Sequence, residues 1–180
     1  MLEDEQQLVS RAKDGEAEAF GALYDYYLPR IYRFVLLKVS HREEAEDLTH
    51  QVFLKAWDNI EQFAFRGFSF GSGLYQIARN TTVDYYRNSH SGAETSIEET
   101  EIDIISTDLS LESKVDKNFE WERLVKAIKQ LKEIEQEVLI MRFVEDLPIK
   151  EVAEAIGKTE GATKLIQHRA IKNLKVILES

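Results

Sequence analysis

The sequence predicts an all-α protein: two small helical domains joined by an acidic linker, the C-terminal one containing a helix-turn-helix. Three observations predict it. Apolar residues recur three and four apart over most of the chain, and no segment alternates convincingly at period two. Only two prolines, Pro29 and Pro148, interrupt its 180 residues. From about residue 89 to residue 117 the apolar pattern gives way to Ser, Thr, Asp and Glu.

The first domain spans residues 1–88. Leu8, Ala12, Ala19, Phe20, Leu23, Tyr24 and Tyr27 form one apolar series, and Ile31, Phe34, Val35 and Val39 form a second just after Pro29. Ala45, Leu48, Val52, Phe53, Ala56 and Trp57 form a third, and Leu74, Ile77, Ala78, Thr81, Val83 and Tyr85 a fourth. The linker, 89–117, carries eight acids against Lys114 and Lys117, which gives it too little apolar surface for a core of its own. Its scattered Ile97, Ile102, Ile104, Ile105 and Leu109 exceed what a solvated spacer needs and leave docking on a partner or on the chain's own domains open.

Three helical patterns fill the second domain, 118–180. Phe119, Leu124, Ile128 and Leu131 share one side of the first, and Val138, Leu139, Met141 and Phe143 mark the second. "PIKEVAEAIG" has Pro148 near its first turn and Gly157 just past its end, as a short helix requires. Thr159 is placed to cap a closing helix. Small Ala153 lets that helix cross closely, and Gly157 supplies a positive φ in the turn. This is the helix-turn-helix arrangement, whose second helix enters a DNA major groove.

Charge agrees. The chain carries 23 Lys and Arg against 33 Asp and Glu, a formal net charge of −10, which argues against coating nucleic acid non-specifically. Yet it closes on "KTEGATKLIQHRAIKNLK", where Lys164, Gln167, His168 and Arg169 can donate to phosphates or base edges.

Other classes find little support. Without cysteine there is no disulfide or thiolate metal site. His41, His50, His90 and His168 lack metal-ligand spacing, and "GFSFGSG" lacks the Lys-Ser/Thr of a phosphate loop. Pairs such as Glu43-Glu44 need no catalytic explanation. The N-terminus, "MLEDEQQLVS", is not a signal peptide, and "LPRIYRFVLLKV" is too short and too charged to span a bilayer. A cytoplasmic, monomeric, non-enzymatic protein without metal or cofactor is expected.

Two further segments, "AEDLTHQVFLKAW" and "LYQIARNTTVDYYR", together with "GKTEGATKLIQHRAIKNL", resemble an RNA polymerase sigma factor of the extracytoplasmic-function (ECF) group. The resemblance covers nearly the whole chain, with the motif sets in family order. It implies that residues 1–88 act as sigma region 2, which binds polymerase core and opens the −10 element, and 118–180 as region 4, which binds the −35 element. Carried over by position, it implies core contacts from Asp47, Leu48, Gln51, Val52, Phe53 and Lys55. It implies −10 contacts from Arg66, Phe68, Ser69, Arg79, Asn80, Tyr86 and Arg87. It implies −35 contacts from Thr159, Glu160, Thr163, Lys164, Gln167, His168 and Arg169. Partners would be core polymerase and promoter DNA; the family also admits an anti-sigma factor. The acidic linker resembles family linkers that lie in positively charged polymerase channels.

Two departures stand out. Gly73 occupies the position where the family usually carries Trp, which puts the loop's conformation in question. In the closing helix "TKLIQHRA" replaces the frequent "VKSRLHRA" and implies a different −35 preference. The rival class is a stand-alone helix-turn-helix regulator, which would bind duplex DNA without polymerase. A sigma-like module that has lost promoter opening is a third reading.

Overall fold

A computed structural model of the chain describes residues 4–89 and 116–180. The described residues are helical throughout their regular structure, in the order α1 (Glu5–Lys13), α2 (Ala17–Val39), α3 (Arg42–Asp58), a short 3₁₀ turn (Ile60–Gln62) and α4 (Phe70–Ser89). After the linker come α5 (Asp116–Lys129), α6 (Glu133–Leu139), a π-helical turn (Ile140–Val144), α7 (Ile149–Ile156) and α8 (Glu160–Glu179). Most of the expected linker, 90–115, lies outside the described residues; Ser89 closes α4 and Asp116 opens α5.

The N-terminal half is a bundle of α1 to α4 around Val9, Leu23, Ile31, Phe34, Val52 and Leu74, all at most 1% exposed. The two apolar series flanking Pro29 belong to one helix, α2, and not to two. An internal proline forfeits one backbone hydrogen bond and costs about 3 kcal/mol. Buried Leu23 and Tyr27 before it, and Ile31, Phe34 and Val35 after it, hold the helix across that break. Edge-to-face ring pairs, Phe20–Trp57 at 4.8 Å and Tyr24–Phe53 at 4.7 Å, fasten α2 to α3.

The start of α4 is built by capping. Ser69 Oγ accepts from the Ser72 amide at 3.2 Å, and the buried Glu5 carboxylate of α1 accepts from the Phe70 amide at 3.0 Å. A carboxylate there also meets the positive end of the helix dipole. Tyr27 donates its hydroxyl to the same Glu5, and burial together with that carboxylate pushes the phenol well above its ordinary pKa.

In the C-terminal half, Gly157 at φ 66° ends α7, and Thr159 caps α8 by accepting from the Ala162 amide at 3.2 Å. Two expected core residues lie outside. Phe143 is 59% exposed, because the wide π turn shifts the helical phase after Leu139. Phe119, near the start of α5, is 70% exposed. One apolar core runs through both halves, joining Phe34 and Tyr75 to Met141, Val152 and Ile156. Helix α4 lies against α7.

Lys129 of α5 donates to the Lys38 carbonyl at 3.0 Å and to Ser40 Oγ, closing the C-terminus of α2. Burial, and the nearby Lys38 charge, lower its pKa to about 8. The ordinary lysine value is higher, so between about pH 8 and pH 10.4 the unfolded chain binds more protons here than the folded one. Stability should therefore rise with pH through that window, by at most about 1.4 kcal/mol per pH unit. Chemical denaturation at pH 8, 9 and 10 should show the slope in the wild type and its loss in Lys129→Met.

Two glycines of α4 should respond differently to alanine. A Cβ on Gly71 would lie 2.6 Å from Tyr27, whose ring is fixed by Glu5; a Cβ on Gly73 would meet only the Phe63 ring, at 3.2 Å. Gly71→Ala should destabilise by about 1–3 kcal/mol, as overpacking does. Gly73→Ala should stay within about 1 kcal/mol of the wild type, since improved helix propensity offsets the contact. Thermal melts of the two variants check this.

Candidate nucleic-acid interface

Three surfaces carry the residues expected to act. On α3, Asp47, Gln51 and Lys55 are exposed along one stripe, and Lys55 Nζ donates to Thr81 Oγ1 at 3.1 Å. Leu48, Val52 and Phe53, expected on the same surface, are at most 5% exposed and belong to the bundle core. They are inward residues of an amphipathic helix and support the stripe from beneath. Leu54, 50% exposed, is the large apolar side chain that α3 turns outward.

The loop before α4 and the outer face of α4 form the second surface. Arg66, Asn80 and Arg87 are exposed. The Phe63 ring stands edge-to-face with Phe65 at 5.0 Å and with Phe70 at 5.2 Å, and it covers Gly73. The loop is therefore packed around Phe63 although the family's usual Trp is missing. Ser69, expected at a captured base, is buried as the cap of α4 and donates to Glu151 of α7 at 2.6 Å. Tyr86 is half-buried; its hydroxyl donates to the Lys38 carbonyl at 2.5 Å, and burial raises its pKa to about 12.

Helix α8 gives the third. Glu160, Lys164, His168 and Arg169 are exposed along it, together with Leu165 and Lys172. Thr163 is fully buried, donating to the Thr159 carbonyl at 2.8 Å, and Thr159 serves as the cap. Gln167 is half-buried and accepts from Arg142 Nε at 3.1 Å. Arg169 Nε donates at 3.1 Å to Glu135, a buried carboxylate that also takes Asn173. These three contacts hold α8 to α6 and the π turn. Sequence alone did not distinguish them from outward residues, because polar side chains at neighbouring helical positions carry no label of direction.

The second surface is met by the C-terminal half. Arg79 Nε donates to Glu137 at 2.6 Å. Arg33 grips Glu145 through two nitrogens, at 2.7 and 3.1 Å, and Tyr75 donates to the same carboxylate at 3.2 Å. Lys150 of α7 stands 5.1 Å from the centre of the Phe68 ring. Thus Phe68, Ser69 and Arg79 are all engaged by α6 or α7. Glu137 and Glu145 are at most 2% exposed. No group of three or more metal-ligating side chains occurs among the described residues, and no described helix is long and apolar enough to cross a membrane.

Comparison with known proteins decides the family. Residues 23–91 match the model for Sigma-70 region 2, and residues 127–176 match that for Sigma-70, region 4. The RNA polymerase sigma factor YlaC of Bacillus subtilis is 30% identical over 154 residues, 85% of this chain and 88% of YlaC. The chain belongs to the RNA polymerase sigma factors, in their ECF group. The ECF RNA polymerase sigma factor BldN of Streptomyces coelicolor is 37% identical over 172 residues; they make up 96% of this chain and 65% of BldN. The fold is shared with CnrH, solved in complex with the cytosolic domain of CnrY, at TM-score 0.74 and 18% identity over 98% of both chains. It is shared also with the sigma factor RpoE of Bartonella quintana, solved with the anti-sigma factor NepR. There the TM-score is 0.69 and the identity 20%, over 91% of this chain and 98% of that one. In this sigma factor the surface opposed by α6 and α7 lies within the region 2 match, and α8 lies largely within region 4.

Removing Glu137 should loosen the halves. It leaves Arg79 and Lys38, whose Nζ lies 3.5 Å from the carboxylate, without their shared partner. Stripping one member from a buried pair costs about 3–5 kcal/mol. Glu137→Ala should lower the melting midpoint and raise the radius of gyration in small-angle scattering. An unchanged radius would mean that the remaining contacts, Arg33–Glu145, Ser69–Glu151 and the shared apolar core among them, hold the closed form.

Proposed function

We propose that this sigma factor directs RNA polymerase core to promoters by the two-surface scheme of its family, with its halves closed on one another until core separates them. The observation that carries the second part is the Arg79–Glu137 pair, reinforced by Ser69–Glu151. Residues 1–88 serve as region 2 and 118–180 as region 4, joined through 89–117. Asp47, Gln51 and Lys55 form the polar contacts with core, and Leu48, Val52 and Phe53 shape the helix that presents them. Arg66, Phe68, Arg79, Asn80 and Arg87 engage the opened −10 strand, with Ser69 and Tyr86 holding the loop and helix in place. Unpaired bases need aromatic platforms and cations along the backbone, and that segment offers both. On α8, Glu160, Lys164, His168 and Arg169 face the −35 element, while Thr159, Thr163 and Gln167 fix the helix.

The factor carries no catalytic step of its own, needs no cofactor and acts in the cytoplasm as a monomer. An anti-sigma factor that grips the closed form is the natural regulator for such an arrangement. The closed state gives an acidic protein a second safeguard against idle DNA binding, beyond its net charge.

The test is run-off transcription with purified bacterial core on a promoter library. Selective transcripts that require this protein are expected, with Asp47→Ala lowering affinity for core while the protein stays folded. Arg79→Ala should impair opening more than core binding. Sequence-specific binding of duplex DNA by the free chain, with no affinity for core, would instead establish a stand-alone regulator.

A further inference from the structure

Most of the outward face of α8 is polar, but three large apolar side chains, Leu165, Ile171 and Val176, are exposed along it, and Leu165 is the one near its N-terminus. Leu165 is 73% exposed, the largest exposure among the large hydrophobic side chains of the described residues. A single exposed leucine is ordinary on a protein surface. Its position is what matters. Lys164 precedes it, and His168, Arg169 and Lys172 stand three, four and seven residues on, all exposed. Residues at those spacings share one helix face. Leu165 therefore shares its face with His168, Arg169 and Lys172, beside Lys164, on the second turn after the Thr159 cap.

The residue one turn earlier is Gly161. Helical side chains lean toward the N-terminus, so Leu165 lies over the turn that holds Gly161. That glycine has no positive φ, and a Cβ built on it would meet nothing within 4 Å. Neither backbone conformation nor internal packing calls for glycine there. Its lack of a side chain leaves the groove-entering end of the helix low, which suits a close external approach. In helix-turn-helix proteins the N-terminal residues of the second helix are the ones that reach base edges.

Leucine offers no hydrogen bond. In the major groove the apolar feature of a base pair is the 5-methyl group of thymine. We propose that Leu165 is a specificity-determining residue that selects a thymine in the upstream promoter element by contact with its 5-methyl group. The inference rests on the −35 reading of α8 given above. It gives the exposed leucine a role on a basic face, and it assigns Lys164 and Arg169 to anchoring around an apolar contact.

Uracil provides the test, because it differs from thymine only by that methyl. The upstream element is first selected from a promoter library by holoenzyme made with the full chain. Each thymine on either strand is then replaced by deoxyuridine, one at a time, and holoenzyme binding is measured. Wild type should lose about fourfold at one thymine, the equivalent of one methyl-sized group removed from contact. Leu165→Ala, a surface change whose fold is checked by circular dichroism, should bind thymine and uracil equally at that position. Lys164→Ala should weaken binding while keeping the thymine preference.

No sensitivity to uracil at any position overturns the proposal, as does equal sensitivity in Leu165→Ala or an element without thymine. If Lys164→Ala and His168→Ala still weaken binding in those cases, the −35 reading of α8 survives without the leucine contact. If neither variant changes binding to the element, the −35 reading has failed and the leucine assignment goes with it.

Discussion

Two buried carboxylates, Glu137 and Glu145, set the relation between the halves of the molecule. Both lie in the C-terminal half and both are held by cations of the N-terminal half, Arg79 with Lys38 for the first and Arg33 for the second. A buried charge is costly unless it is paired, so these acids tolerate few other arrangements. Apolar burial drives the halves together, since one core runs through both. That attraction is non-directional. The ion pairs fix the register, because a shifted interface would leave an acid buried without its cation.

Helix α6 is the hinge of the chemistry. Glu135 and Glu137 are two residues apart and so point to sides about 200° apart. Glu137 faces α4 and takes Arg79, whereas Glu135 faces α8 and takes Arg169 and Asn173. One short helix thus holds a region 2 arginine with one acid and positions a region 4 arginine with the next. Opening the halves would free Arg79 but leave Arg169 oriented, so the two DNA-facing surfaces differ in readiness. On the function proposed above, region 4 is already shaped in the closed molecule, and region 2 has to be released.

Much of this was legible in the sequence. Helical periodicity, Pro148, Gly157 and the Thr159 cap located α7 and α8, because local propensity and packing agree there. The family assignment was legible from three motif segments in order. Side-chain direction was not. Leu48, Val52 and Phe53 read as interface by position in a motif, yet an amphipathic helix buries such residues. Ser69 read as a base contact but caps α4, and Phe143 read as core but lies in a π turn that shifts the phase. Leu165 carries no mark in the sequence that it faces outward, because helical periodicity does not separate it from the inward apolar residues beside it.

By itself, the sequence determined the helical class, the termini of α7 and α8, the acidic break between two motif sets and the basic character of the last helix. These follow from interactions within a few residues: periodicity, caps, proline and glycine. Only the tertiary structure decided what the acids of residues 135–151 do. In the sequence they look like the solvated face of short helices. In the fold, Glu135, Glu137, Glu145 and Glu151 are all buried, and each carboxylate is held by partners between 34 and 112 positions away, too distant along the chain for any local pattern to reveal.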